Sequence, residues 1–385
     1  MKPVFAGAEN IISSLGFSAV ENISNILTGN TGIAIDDSGI YFPSALPLSK
    51  VDYAQLENLF AGTVPGEQGK FTMLEKMFIL SITDALQQSN INITSPDTLL
   101  IITTTKGNID LLDPDLQKEF GKQRIFLHEM AKVITGFFNN PNRVMIISNA
   151  CISGVLGIVY GERLIRSGKY RNVIVSGGDL MSEFIVSGFQ SFQSLSEKAC
   201  KPFDKSRDGL TLGEGCGTII MSSGADSFND IDVRVLGGAG SNDANHISGP
   251  SRTGEGLFLA IRQAMNLAGI IPEKIDSISA HGTATDYNDE MEAIAFSRAG
   301  LESVPLNSYK GYIGHTLGAA GVIEAAISLR SMKMNMLFRS AGYEHHGVTK
   351  KISVIKENME KEINTCLKTA SGFGGSNAAV IFQKV

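Results

Sequence analysis

Twice along the chain, a short apolar strand runs into a turn of small residues and then into a segment that is small or apolar on nearly every side. The first occurrence spans 144–168 (VMIISNACISGVLGIVYGERLIRSG) and the second spans 305–333 (PLNSYKGYIGHTLGAAGVIEAAISLRSMK). A helix with almost no polar face must be covered all round. Two such helices, one in each half, imply a duplicated architecture joined near residues 224–231 (GADSFNDI). Around them the chain alternates between short β-branched runs and helical periodicity. The runs are 99–105, 144–148, 172–176, 218–222, 231–236, 275–280, 367–370 and 378–382, and the clearest helical stretches are 73–88 and 256–268. Apolar strands separated by helices predict an α/β fold with a largely parallel sheet covered on both faces. The stretch 32–69 has the weakest pattern and is read as loop and cap.

Composition narrows the partners. The 385 residues are 43% hydrophobic, enough for a sizeable core, and carry a net charge of −6 with no basic block. That balance argues against nucleic acid. The four cysteines, Cys151, Cys200, Cys216 and Cys366, form no CxxC pair and sit at no metal-ligand spacing to a histidine. They are also too sparse for a disulfide scaffold. The expectation is therefore no metal, a reducing cytoplasmic home, no signal peptide and, with no run of eighteen apolar residues, no membrane span.

Three residues sit where chemistry is favoured. Cys151 closes a strand and leads into the first buried helix, where unpaired N–H groups and a partial positive charge favour a thiolate and can hold an oxyanion. Taken alone, a cysteine in an apolar run is more simply a core residue. His281 follows the run SISA, and His315 lies at the mouth of the second buried helix. Both occupy Gly-rich strand-to-helix junctions, at the strand ends where α/β folds place ligands. A cysteine with two histidines suits nucleophilic acyl transfer, the imidazoles donating to a developing oxyanion. His128, His345 and His346 read as surface residues.

The segments SNACISG, PFDKSRDGLTLGEGCG, AHGTATDYNDEMEA, NSYKGYIGHTLGAAG and SGFGGSNAAVIF follow one another in this order. On them the chain resembles the β-ketoacyl-acyl carrier protein synthases, in particular the elongating members with a Cys-His-His triad. The opening FAGAENIISSLG and the later SNDANHISGP are similar more faintly. The resemblance implies a thiolase-like fold of two similar halves, 1–228 and 229–385, in a five-layered α-β-α-β-α sandwich, with the nucleophile in the first half and both histidines in the second. It further implies that Cys151 accepts an acyl chain from an acyl carrier protein. His281 and His315 would donate to the thioester carbonyl of malonyl-carrier protein as it loses CO2, and the enolate would then attack the acyl-cysteine.

By the same resemblance the backbone N–H groups of Cys151 and Phe373 form the oxyanion hole. Lys310 and Glu324 match a lysine and an acid near the triad, read here as an internal ion pair. Thr283 and Thr285 match residues that bind the phosphopantetheine arm. Phe373 matches a gating aromatic, with Gly372 and Gly374 giving its loop freedom. Asp208, Gly209 and Glu214 match a structural loop. No cofactor is implied beyond the carrier's phosphopantetheine. The partners implied are acyl carrier protein and a second subunit, either identical or a chain-length-factor homologue.

Some positions depart from the family pattern. Ile152 follows the cysteine where Ala or Thr is commoner, Ala284 interrupts HGTAT, the segment 106–112 (KGNIDLL) replaces a Gly-rich loop, and the first hundred residues are shortened. These bear on which chain is elongated, in fatty-acid or polyketide and polyene synthesis. Two other classes compete with a condensing enzyme. A non-catalytic chain-length factor would lack the cysteine. A thiolase would need a second cysteine near the C-terminus, where TASGFGGSN has none.

Overall fold

Duplication is visible in the strand order of the computed structural model, which describes residues 2–229, 233–243 and 249–385. The first half supplies β1 (Phe5–Ile12), β2 (Thr98–Thr103), β3 (Met145–Ile147), β4 (Asn172–Asp179) and β5 (Gly215–Ser222). The second supplies β6 (Val233–Asn242), β7 (Ser277–Ser279), β8 (Pro305–Asn307), the two-residue β9 (Ser353–Val354), β10 (Thr365–Gly372) and β11 (Ser376–Lys384). Across the sheet the first half reads β3-β2-β4-β5-β1 and the second β8-β7-β10-β11-β6, with β9 at the far edge. The two orders are the same. The halves meet along one edge, where Phe5 pairs with Arg234 and Ala6 with Val233.

Helices make five layers of this. Helix α1 (Met73–Gln87) covers the outer face of the first half, on β1, β4 and β5, and α3 (Glu255–Ala268) covers that of the second, on β6, β10 and β11, with α4 (Asp286–Arg298) beside it. Between the sheets lie α2 (Ser153–Arg166) and α5 (Ala320–Met334), each touching strands of both halves and each other. They cross almost backbone to backbone. A Cβ on Gly154 would stand 2.6 Å from the Val322 nitrogen, and one on Gly321 would stand 2.5 Å from the Val155 nitrogen. The small residues of the two repeats are there to permit that crossing. In α5, twelve residues including Glu324 are buried, whereas α2 shows Tyr160, midway along it, to solvent.

Two sequence expectations need correction. The sheet is mixed rather than largely parallel. Three strands run parallel in the first half and four in the second, but β5 and β1, like β11 and β6, run antiparallel to their neighbours. A strand buried on both faces is apolar throughout whichever way it runs, so its composition does not report direction. The stretch 32–69 is also structured. Ile33–Asp36 and Leu46–Ser49 form a small sheet with Leu212–Gly213, and Asp52 caps the helix Tyr53–Thr63. Of the strand expected at 231–236 the first two residues lie outside the described residues, as do 244–248 of SNDANHISGP.

Candidate active site

Cys151 stands in the turn between β3 and α2, 7% exposed. The turn is held tightly. The Ser153 hydroxyl accepts from Asn149 N at 2.7 Å and donates to the Ala150 carbonyl at 2.7 Å, while Ala150 takes φ +43°. A left-handed alanine costs about 1–2 kcal/mol, so the surrounding bonds must enforce it.

His281 follows β7. Both oxygens of the buried Glu292 on α4 fix it, accepting from His281 N at 2.8 Å and Gly282 N at 2.6 Å. His315 comes from the loop ahead of α5. Its N–H donates to the Thr211 carbonyl at 2.7 Å, and its own carbonyl accepts from Gly213 N, which anchors a second-half residue on the first half. The two imidazoles meet edge to face with centroids 5.1 Å apart. Cys151 Sγ and one nitrogen of each ring all lie within 4.8 Å of one another. Residues 151, 281 and 315, far apart in sequence, thus form one cluster.

Neighbouring donors set the tautomers. Leu317 N donates to His315 Nδ1 at 3.2 Å, and the Lys310 ammonium reaches His281 Nδ1 at 3.2 Å. With both Nδ1 atoms accepting, each neutral ring carries its proton on Nε2. Burial first, then the Lys310 charge, holds both imidazoles well below their usual 6.5. Two neutral N–H donors are what a developing enolate oxygen requires. The same arrangement suits a metal poorly. Ligation through Nε2 would need the proton on Nδ1, facing a donor in both rings.

The thiol departs from expectation. Burial pushes Cys151 up to about 12, with Lys310 pulling the other way. The resting site thus holds a thiol beside two neutral imidazoles.

Beneath the histidines, Lys310 Nζ donates to Glu324 at 2.6 Å and to the His281 carbonyl at 2.6 Å. Lys368 on β10 donates to the other Glu324 oxygen at 2.5 Å. The sequence reading paired Lys310 with Glu324 but passed over Lys368, although a lysine inside the apolar run 367–370 was itself a signal. It also passed over Glu292 and two further acids. Asp289 accepts from Phe203 N, Thr283 N and Ala284 N. Asp179 accepts from Thr104, Thr105 and Gly318, tying the end of β2 to the loop after His315. Asp179 closes an apolar strand and Asp289 lies in the first turn of a helix, whereas Glu292 is mid-helix.

Other expected residues are placed as follows. The Thr283 and Thr285 hydroxyls lie 2.8 Å apart ahead of α4. Phe373 is half-buried, its ring 5.5 Å from Phe189 and 5.1 Å from Phe192. Gly374 has φ +80°, but Gly372 is extended at φ −150°, so freedom of φ is not its reason. A Cβ there would meet the Cys151 nitrogen at 3.0 Å. Gly372 is small because of that approach. Glu214 accepts from Val51 N, Met181 N and Tyr53 Oη. A cavity of about 1100 Å³, walled by Tyr41, Tyr53, Ile109, Met181 and Phe184, lies elsewhere, and none of the three clustered residues lines it. No described helix is long and apolar enough to cross a membrane.

Related proteins are known over nearly the whole length of the chain. Residues 14–227 match the family model for the beta-ketoacyl synthase N-terminal domain, and residues 233–344 match that for the C-terminal domain. A 3-oxoacyl-[acyl-carrier-protein] synthase 2 from Rhizobium meliloti is 34% identical over 264 residues, 63% of this chain and 61% of that one. Another from Vibrio cholerae is 26% identical over 420 residues, covering 97% of both. Among solved structures, the ketosynthase ApeO of Xenorhabdus doucetiae, in complex with its chain length factor ApeC, superposes with a TM-score of 0.88 at 24% identity, over 100% of this chain and 98% of that one. A beta-ketoacyl synthase from Burkholderia phymatum gives 0.88 at 23%, covering both chains fully. The structural likeness establishes the five-layered thiolase-like fold.

Proposed function

The chain belongs to the β-ketoacyl synthase family, and we propose that within it Cys151 carries the acyl chain while His281 and His315 serve the malonyl partner. The observation that carries this reading is the convergence of one thiol and two Nε2–H imidazoles in a buried cluster.

In the first half-reaction, Cys151 Sγ attacks the thioester carbonyl of an acyl chain on the phosphopantetheine of acyl carrier protein. The S–C bond to pantetheine breaks, and the thiol proton leaves with the pantetheine sulfur. The N–H groups of Cys151 and Phe373 hold the tetrahedral oxyanion, each such donor contributing about 2.7–4 kcal/mol in comparable sites. In the second half-reaction, malonyl-carrier protein binds, its C–CO2 bond breaks, and the electron pair enters an enolate. His281 and His315 donate to that enolate oxygen. Its carbon attacks the acyl-cysteine, and the released Cys151 sulfur takes up a proton, leaving β-ketoacyl-carrier protein and CO2.

Thr283 and Thr285 hold the pantetheine arm, and Phe373 with Gly372 and Gly374 gates entry. Lys310 and Glu324 position His281 rather than react. We read the repeated strand orders as the halves 1–228 and 229–385. The sheet ends at β3, and a second subunit at that edge, identical or a chain-length-factor homologue, would extend it. The test is incubation with malonyl-carrier protein and a panel of acyl-carrier proteins of graded length, with products read by mass. Formation of β-ketoacyl-carrier protein and CO2 supports the reading; no product with any acyl chain refutes it.

A further inference from the structure

Two lysines share one buried carboxylate. Glu324 is 1% exposed and Lys310 and Lys368 are 0% exposed. Lys310 Nζ has three acceptors: Glu324 Oε1, the His281 carbonyl and His281 Nδ1. Lys368 Nζ also has three: Glu324 Oε2 at 2.5 Å and the carbonyls of Ser279 and Ala280 at 3.4 Å. Three acceptors match the three hydrogens of an ammonium. The cluster therefore sets two lysines against one carboxylate in an interior where charge acts strongly; burial lowers Lys368 from its usual 10.5, and Glu324 works against that lowering. It also joins three chain segments. Lys368 lies on β10, which leads into Gly372 and Phe373. Its carbonyl partners end β7 immediately before His281. Glu324 lies on α5, below the loop of His315.

Building on the functional reading above, we propose that Lys368 is a positioning residue for decarboxylation: it anchors the strand end that carries His281 and supplies the surplus positive charge that keeps both imidazoles neutral and oriented as Nε2–H donors. A protonated imidazole would place Nδ1–H against Leu317 N–H or the Lys310 ammonium and break those contacts. The positive charges Lys310 and Lys368 oppose that protonation at both rings. The other ionisable groups around the cluster are Glu324, Glu292, Asp289, Asp179, Lys106, Tyr309, Cys151, Cys200 and Cys366. Glu292 is pushed up to about 7, by burial first and then by Asp289, and so offers little opposing negative charge in the acid range.

The test compares wild type, Lys368→Met, which keeps the side-chain volume, and Lys368→Arg, which keeps the charge. CO2 release from malonyl-carrier protein and acyl loading are measured from pH 4 to 9, beside melting temperature. In Lys368→Met the acid limb of decarboxylation should move up by about one pH unit while loading changes less. Lys368→Arg should return the limb toward wild type. An unmoved limb, or equal losses in both steps that Lys368→Arg does not recover, overturns the proposal. Should neither variant fold, the nitrogen NMR of histidine-labelled wild type decides. Neutral Nε2–H tautomers of His281 and His315 persisting at pH 5 support the proposal, and protonation of either near pH 6 overturns it. Absence of any CO2 release by wild type would instead count against the functional reading itself.

Discussion

Gly372 lies so close to Cys151 that a Cβ on it would stand 3.0 Å from the Cys151 backbone nitrogen, the donor assigned to the oxyanion. Its backbone is extended and accepts any residue. Gly372→Ala should therefore act on the reaction more than on the fold, slowing acyl transfer by about 10²-fold, the scale of losing one oxyanion donor. Single-turnover loading measures it. A loading rate within threefold of wild type would show that the approach does not matter.

The gate is tested one residue on. Gly374 needs φ +80°, yet a Cβ there meets nothing within 4 Å, so a side chain is resisted by the backbone alone. Gly374→Val should hinder the swing of Phe373 away from Phe189 and Phe192 and slow acyl loading more than malonyl decarboxylation. Equal losses in both steps with a lower melting temperature would mark the loop as merely structural.

Both histidines are held below 6.5 by burial and then by Lys310. The rate of CO2 release in wild type should then stay level from pH 8 to below pH 6. Half-loss near pH 6.5 would show that an imidazole titrates normally. His315→Ala should cut CO2 release by about 10²-fold or more while some acyl loading survives, because the helix N-terminus and oxyanion donors remain.

Asp204 bears on stability. Burial works against its charge, but N–H donors of His345, Ser206 and Glu344 and the Ser206 hydroxyl outweigh it and hold the carboxyl at about 2. A folded value below the unfolded 3.8 stabilises the fold above about pH 4 and loses that contribution as pH falls toward 2. Asp204→Asn should cost about 2 kcal/mol at pH 7, with the difference from wild type shrinking on acidification. Denaturant melts at pH 7 and pH 3 measure both; a pH-independent difference would contradict the assignment.

How far the sequence could be read follows from where the information lies. The two central helices were legible because a segment without a polar face has only one place to go. Cys151, His281 and His315 were legible because strand-end junctions rich in small residues mark ligand sites. Lys368 was not paired with Glu324, since that contact spans 44 residues and depends on the register in which Ser279 faces Lys368 across β7 and β10. The direction of β5 was hidden by its burial on both faces. The burial that raises the Cys151 thiol is not visible in sequence, whereas the helix end beside it is.

On the proposed mechanism, Cys151 forms the covalent acyl-enzyme. Peptide mapping by mass spectrometry after incubation with acyl-carrier proteins tests it directly. One acyl group is expected, on the peptide bearing Cys151, and none in Cys151→Ala. An adduct on Cys200, Cys216 or Cys366, all of them buried, or loading undiminished in Cys151→Ala, would contradict it.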